Sequence, residues 1–177
     1  MRLDLGELSV APLAASDLPA FAAYRSDPGV ARYQSWSANY TLDDARRLLD
    51  DQAGWDFPPA GDWMQFGVTA AGTLVGDVAV HPLLDRPDCY EFGVTFAPAA
   101  QGRGLATRAV AGVVDYLFRQ RGAHRVFAQC DARNAAVKRL LERNGFRHEG
   151  AAVEADWFKG EWTTLETWAI LARECAA

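Results

Sequence analysis

A strand, a short glycine-containing loop and a helix follow one another in the middle of the chain, and this succession constrains the fold most. Large apolar residues alternate along 90–96, which predicts a half-buried strand. Apolar residues then recur at helical spacing, which predicts a helix over roughly 104–120. A helix that starts behind such a loop presents free backbone N–H groups, and such a terminus binds phosphate. We therefore expect a phosphate-binding turn between the two elements.

The loop at 101–106 has the composition of a pyrophosphate cradle. Gly102 and Gly104 allow a ligand to approach the backbone closely, and Arg103 adds a positive charge. Other nucleotide-binding loops fit less well, because Gly-Lys-Ser/Thr of a Walker loop is absent and Thr107 replaces the third glycine of the dinucleotide pattern. On these six residues alone, an ordinary strand-to-helix turn is an equal alternative.

Length and composition bound the class of protein. A chain of 177 residues, half of them hydrophobic, can bury one core, so we expect a single domain over 1–177. A net charge of −5 argues against nucleic acid as the main partner. The early acid Asp4 and the lack of a long apolar run argue against a signal peptide and a membrane helix. Three widely spaced cysteines suit a reducing cytoplasm.

The remaining elements alternate in a definite order. Further strands are predicted at 8–13, 64–68, 74–80, 125–130, 146–153 and 161–171. Further helices are predicted behind Ser16 and Thr41, which can cap them, and at 135–143. The order is strand, two helices, three strands, helix, strand, helix, two strands.

Three motifs resemble those of the GNAT superfamily of N-acetyltransferases. Gln101, Gly104 and Ala106 match its acyl-CoA-binding pattern, Gln/Arg-x-x-Gly-x-Gly/Ala. The segments 131–146 and 157–162 resemble signatures of its RimJ/RimL-like branch, which acetylates ribosomal-protein N-termini. The order of elements also matches the GNAT fold along nearly the whole chain. The resemblance implies an α/β (α+β) fold with a mixed, mostly antiparallel central sheet, flanking helices and a splayed central strand pair.

The resemblance also implies where acetyl-CoA binds. Its pantetheine arm would lie between the strands at 90–96 and 125–130, bonded by backbone groups of Val94 and Phe96. A bulge in the 90–96 strand would aim an N–H at the thioester oxygen. Asn134 would bond the arm through its amide, with a helix N-cap as the alternative role. The pyrophosphate would contact the cradle, formed by Gln101, Gly102, Arg103, Gly104, Leu105, Ala106 and Thr107.

Two carboxylates are candidates for the general base. Glu91 faces away from the apolar row of its strand, and Asp156 falls where some enzymes of the branch have a catalytic glutamate. A solvent-facing strand acid and a loop acid are the respective alternatives. An acid whose pKa is raised by apolar surroundings is suited to take the proton of an amine, directly or through water.

A side chain for the general acid is not evident. The family places serine three residues, or tyrosine seven residues, after the signature asparagine, and here Val137 and Leu141 occupy those positions. The open candidates are a bound water and three tyrosines: Tyr33, Tyr40 and Tyr116. Tyr33 and Trp36 are also predicted to wall the acceptor site, with coverage of the sheet as the alternative. The histidines have no metal-ligand spacing, so no metal is expected.

The sequence therefore predicts an acyl-CoA-dependent N-acyltransferase. It would transfer the acetyl group of acetyl-CoA to a primary amine by direct attack in a ternary complex. The acceptor is a protein N-terminal amine or a small-molecule amine. A non-catalytic acyl-CoA-binding module and a transferase for another acyl group are the alternatives, and a homodimer is left open.

Overall fold

The computed structural model describes residues 1–86 and 88–175. Its strands are β1 (Leu3–Asp4), β2 (Leu8–Pro12), β3 (Met64–Ala70), β4 (Thr73–Pro82), β5 (Cys89–Phe96), β6 (Arg125–Asp131), β7 (Arg147–Phe158) and β8 (Glu161–Leu171). Its helices are α1 (Leu18–Arg25), α2 (Pro28–Ala31), α3 (Leu42–Asp51), α4 (Leu105–Arg121), α5 (Ala135–Arg143) and α6 (Ala172–Cys175).

The strands form one sheet in the order β1-β2-β3-β4-β5-β6-β8-β7. Every neighbouring pair is antiparallel except β5 and β6, which run parallel. Their pairing covers only Cys89 to Glu91 against Arg125 to Phe127. Beyond Glu91 the two strands separate, and the space between them is called the β5–β6 gap below. The predicted fold class, including its splayed central pair, is confirmed.

Helices cover both faces of the sheet. On one, called the α4 face, α4 and α5 pack on a large core that includes Phe66, Val78 and Phe92. On the other, called the α1 face, α1 and α3 enclose a smaller cluster around Phe21 and Ala45. This division assigns the residues of each strand, in alternation, to one helical layer or the other.

A buried ion pair fixes α1 to the sheet. Arg25 Nη2 lies 2.9 Å from an Asp77 oxygen of β4, and the Tyr24 hydroxyl donates to the same carboxylate over 2.6 Å. The Trp36 ring covers the guanidinium, with 3.8 Å from the Arg25 Cζ to the ring centroid. Removing either partner would leave a buried charge unpaired, so this cluster anchors the segment that follows α1.

Local sequence signals explain several element boundaries. Thr41 and Asp44 form the predicted capping box of α3. The prediction that Ser16 caps α1 is wrong, because a 3₁₀ turn at 15–17 precedes the helix and Asp17 is its N-cap. α1 ends at Arg25, and Pro28 begins α2, whose first N–H groups are capped by the Asp27 carboxylate.

The bulge predicted in the strand at 90–96 is not found. β4 and β5 pair in an uninterrupted register from Gly76↔Phe96 to Pro82↔Tyr90. The register shift lies instead between Val68 and Thr69, in the pairing of β3 with β4. The N–H groups that face the gap must therefore come from the regular alternation of β5.

Three further findings concern the described part of the chain. None of the helices in residues 1–86 and 88–175 is long and apolar enough to cross a membrane. In the same residues, His, Cys, Asp and Glu side chains form no cluster of three that could hold a metal ion. The cysteines are free thiols, with Cys89 and Cys130 buried and Cys175 exposed.

Candidate active site

The open edge of β5 supplies backbone groups to the β5–β6 gap. The Ala97 N–H bonds to the Val75 carbonyl over 2.9 Å, at the end of the ladder between β5 and β4. Hydrogen-bonded and non-hydrogen-bonded positions alternate along an antiparallel pair. Thr95 and Gly93 therefore bond to β4, whereas the N–H and C=O of Val94 and Phe96 point into the gap. The structure thus places both residues where their predicted backbone role requires.

Two glutamine side chains donate hydrogen bonds to carbonyls of this open edge. Gln34, between α2 and α3, donates its Nε2 hydrogen to the Val94 carbonyl over 3.4 Å. Gln101 donates its Nε2 hydrogen to the Phe96 carbonyl over 2.9 Å. The side chain of Gln101 therefore links the start of the loop to the end of β5. Its predicted contact with a ligand stays a prediction. The N–H groups of Val94 and Phe96 are the donors left to face the gap.

The loop after β5 lies at the start of α4, where the sequence predicts the cradle. Gly102 and Gly104 have φ of 72° and 76°, a left-handed conformation that favours glycine. A Cβ added at either would meet no heavy atom within 4 Å, which leaves space for a ligand. Among the described residues no side chain caps α4, so the N–H groups of its first turn, Leu105 to Thr107, point outward. Arg103 is exposed beside them.

A tight turn presents Asn134 at the start of α5. The Asp131 carboxylate accepts from the Arg133 backbone N–H over 2.8 Å, and the Asn134 N–H bonds to the Asp131 carbonyl over 2.8 Å. Arg133 pairs with Asp131 and lowers the pKa of that carboxyl. Asn134 Oδ1 caps α5 by accepting from the Val137 N–H over 3.3 Å. The cap is therefore present, and the amide Nδ2 is the group that a ligand would use.

Glu91 lies at the vertex of the β5–β6 gap. It is the last residue of β5 that pairs with β6, opposite Phe127, and its side chain lies on the α1 face. The side chain is only 21% exposed. Burial raises the pKa of Glu91, and the nearby His81 opposes this increase. The carboxylate combines partial burial with access to the separating strands, as a general base requires.

Asp156 occupies a separate place on the same side of the sheet. It pairs with Thr163 near the end of the β7–β8 hairpin and is half-exposed. β6 and β8 separate its strand from that of Glu91, so three strand spacings put the two at least about 14 Å apart. The structure therefore does not bring the two predicted carboxylates together, and one amine cannot use both.

The predicted acceptor residues lie on the segment between α2 and α3. The Tyr33 hydroxyl lies 3.4 Å from the Arg133 carbonyl, next to Asn134 at the gap. Trp36 packs inward, and its indole N–H bonds to the Arg25 carbonyl over 3.1 Å. A concave site of about 410 Å³ lies beside it, lined by Ser35, Trp36, Ser37, Asn39, Tyr40, Asp44 and Lys159.

The other two tyrosines are less suited to proton transfer at the gap. Tyr116 packs against Phe57 on the α4 face, with ring centroids 6.2 Å apart. Tyr40 packs against Phe21, with centroids 6.1 Å apart, and burial raises its pKa. Tyr33 is therefore the one of the three candidates that the fold places at the open strands.

The family model for the acetyltransferase (GNAT) domain matches residues 7–147. The chain belongs to the GNAT acetyltransferase family. A solved GNAT acetyltransferase from Bacillus anthracis superposes with a TM-score of 0.87 and 26% identity, covering 98% of this chain and 99% of that one. This GNAT protein therefore shares its architecture with that acetyltransferase over nearly the whole of both chains.

Two further solved structures share the fold. Spermidine N-acetyltransferase from Vibrio cholerae, in complex with CoA and spermine, has a TM-score of 0.82 and 22% identity, covering 97% of this chain and 99% of that one. RimL, a ribosomal L7/L12 α-N-protein acetyltransferase in complex with coenzyme A, has a TM-score of 0.82 and 15% identity, covering 97% and 98%. The RimJ/RimL-like branch is therefore one of several structural neighbours.

Three residues at the site had no distinctive signal in the sequence. His81 lies opposite Glu91, Gln34 bonds to Val94, and the Lys159 ammonium bonds to the Ala31 and Trp36 carbonyls. Each contact joins residues far apart in sequence or on different strands. Only the register of the sheet and the path of the loops could have revealed them.

Proposed function

We propose that this GNAT protein transfers the acetyl group of acetyl-CoA to a primary amine by direct attack in a ternary complex. One observation carries the proposal: Glu91 lies at the vertex of the β5–β6 gap, whose open edge leads to the glycine cradle. A donor bound along that edge would bring its thioester near this carboxylate. Bringing donor, acceptor and base together can supply much of the rate enhancement.

The donor half of the site uses mostly backbone groups. The N–H groups of Val94 and Phe96 would bond the amide-rich arm of the donor as a neighbouring strand does. The N–H groups at the start of α4, with Arg103, would hold its pyrophosphate. The Asn134 amide would donate from the opposite side of the gap. Donors fixed in this way can also polarise the thioester carbonyl without reorganising during the reaction.

The acceptor half lies on the α1 face. Glu91 would take a proton from the substrate ammonium, directly or through one water, and the neutral amine would attack the thioester carbon. The C–N bond forms, the C–S bond breaks, and the electron pair leaves with the CoA sulfur, while the attacking nitrogen gives up a second proton that balances protonation of the thiolate. The Tyr33 hydroxyl, beside Asn134, is the side-chain candidate to protonate that thiolate, and a bound water is the alternative.

The surroundings of Trp36 favour an acceptor with a single amine over a polyamine. Of the charged groups lining the concave site, Asp44 is engaged by Thr41 and Arg47, and Lys159 is a cation. A substrate with several ammonium groups needs several free carboxylates. A protein N-terminal amine or a small monoamine fits these charges better.

Release of free thiol from acetyl-CoA tests the proposal, measured with a panel of N-terminal peptides, monoamines and polyamines. Mass spectrometry should find one acetyl group on the accepted amine, and Glu91→Gln should abolish most of the release. Calorimetric binding of acetyl-CoA without amine-dependent thiol release would instead support a non-catalytic acyl-CoA-binding module. Release from succinyl-CoA but not acetyl-CoA would identify another acyl donor.

A further inference from the structure

His81 and Glu91 face each other across β4 and β5. They are register partners, and His81 Nδ1 lies 3.7 Å from a Glu91 carboxylate oxygen. Their side chains are 17% and 21% exposed. A contact of this kind in a partly buried place is little weakened by solvent.

Packing fixes the imidazole in this orientation. Trp63, just before β3, stacks on the His81 ring with a centroid separation of 4.8 Å and an interplanar angle of 19°. His81 Nδ1 is buried and has no hydrogen-bond partner among the described residues. A buried polar atom without a partner is costly, and the Glu91 carboxylate is the polar group nearest to satisfying it.

The other groups around Glu91 do not compete for this role. Phe127 faces it from β6, and the adjacent Arg125 is paired with Glu149 through two hydrogen bonds. Trp63, near the start of β3, is uncharged. His81 is therefore the titratable group placed against Glu91 within the described residues.

We propose that His81 is a positioning residue for Glu91, holding its carboxylate at the vertex of the gap and setting how readily it accepts a proton. This inference rests on the proposed function. An imidazolium beside the carboxylate stabilises its charged form, whereas a neutral imidazole does not. Contact with His81 therefore opposes the increase that burial causes in the pKa of Glu91.

Two variants test the coupling. His81→Asn keeps an N–H donor near the position of Nδ1 but cannot titrate, and His81→Phe keeps the stacking on Trp63 without a polar atom. Glu91 is titrated by ¹³C NMR of its side-chain carboxyl, assigned by its loss in Glu91→Gln. Without the imidazole ring, its opposition to the effect of burial is lost, so the midpoint for Glu91 should rise by roughly one pH unit in both variants.

The same shift should appear in the kinetics. The acid limb of the kcat/KM profile should move to higher pH in both variants. His81→Asn should retain more kcat than His81→Phe. Both variants should bind acetyl-CoA with the affinity of the parent. An unmoved Glu91 midpoint, or equal losses of kcat with an unmoved limb, would overturn the positioning role. If the parent transfers no acetyl group, the proposed function fails, while the NMR titration still decides whether the pair is coupled.

Discussion

Lys159 donates to the Trp36 carbonyl over 2.7 Å, and this contact joins the β7–β8 hairpin to the segment between α2 and α3. The same ammonium donates to the Ala31 carbonyl at the end of α2 over 2.5 Å. The Ala31 carbonyl also accepts from the Gln34 N–H over 3.0 Å, so Lys159 binds a turn that has a backbone hydrogen bond of its own. The hairpin thereby closes one side of the concave site beside Trp36.

Replacing Lys159 should weaken the binding of the amine acceptor without changing the binding of acetyl-CoA. Lys159→Met keeps the aliphatic stem and removes both hydrogen bonds, so we expect KM for the amine to rise several-fold with unchanged affinity for acetyl-CoA. Hydrogen exchange should increase at 31–36. Lys138→Met, which removes an ion pair with Glu166 on the other side of the sheet, is the matched control. An unchanged KM would show that the contact does not shape the acceptor site.

Two substitutions separate the role of Asn134 as the cap of α5 from its proposed role as an amide donor to acetyl-CoA. Asn134→Asp keeps an oxygen to cap α5 but loses the amide donor, whereas Asn134→Ala loses both. We expect the alanine variant to lose roughly 0.5–2 kcal/mol of unfolding free energy and the aspartate variant little. Both should bind acetyl-CoA more weakly by calorimetry. Parental affinity in a stable aspartate variant would restrict Asn134 to the cap.

The pKa of Glu91, raised by burial, has a consequence for stability. The folded protein holds a proton on Glu91 to higher pH than the unfolded chain does. Unfolding free energy should therefore fall as pH rises from the ordinary carboxyl range through the raised pKa, and Glu91→Gln should remove this part of the slope. Urea titrations at several pH values measure it, with the exposed Glu142→Gln as control. An identical slope in parent and Glu91→Gln would contradict the shift.

Catalysis should depend on the same carboxyl group. Glu91→Gln should lower kcat by about 10²–10⁴-fold with acetyl-CoA binding intact. Asp156→Asn, placed elsewhere on the sheet, should retain kcat near the parental value. A large loss in Asp156→Asn with little loss in Glu91→Gln would reverse the assignment.

Tyr33→Phe tests the proton donor to the thiolate. Because the Tyr33 hydroxyl lies beside Asn134, we expect kcat to fall by about 10²-fold if it protonates the leaving sulfur. Tyr40→Phe and Tyr116→Phe are matched removals of a hydroxyl from packed rings, and they should have small effects on kcat. Equal rates in all three variants would leave water as the proton source.

Periodicity and capping signals predict much of the fold because they act locally. The helix at 135–143 and the strand at 161–171 have the predicted bounds, since Asn134 and the Asn144-Gly145 pair mark both ends of the helix. The short strand Leu3–Asp4 and the helix Pro28–Ala31 had too few residues to show a period. β7 extends beyond the predicted 153 to Phe158 across an irregular register.

The parts of the site that are formed by residues adjacent in sequence were predictable. The contacts that depend on strand pairing were not. The position of the cradle glycines between a strand and a helix predicts a turn. The His81–Glu91 contact requires knowledge that β4 pairs with β5 in a register that no sequence period reveals. The prediction of a bulge in β5 was wrong for the same reason, because a bulge is a property of how two strands pair and not of one strand's sequence.

Calorimetry on two glycine variants tests whether the β5–β6 gap and its cradle bind acetyl-CoA. Gly104 and Gly122 flank the two ends of α4 with φ of 76° and 66°, and a Cβ at either meets no heavy atom within 4 Å. Valine at either position should therefore cost a similar free energy of unfolding, about 1–2 kcal/mol.

Only Gly104→Val fills the space in front of the N–H groups at the start of α4. We expect it to weaken acetyl-CoA binding by about 10- to 100-fold, the loss of one or two charge-assisted hydrogen bonds, while Gly122→Val binds like the parent. Equal affinity in the two variants, whether both match the parent or both are weakened, would contradict the assignment of the cradle.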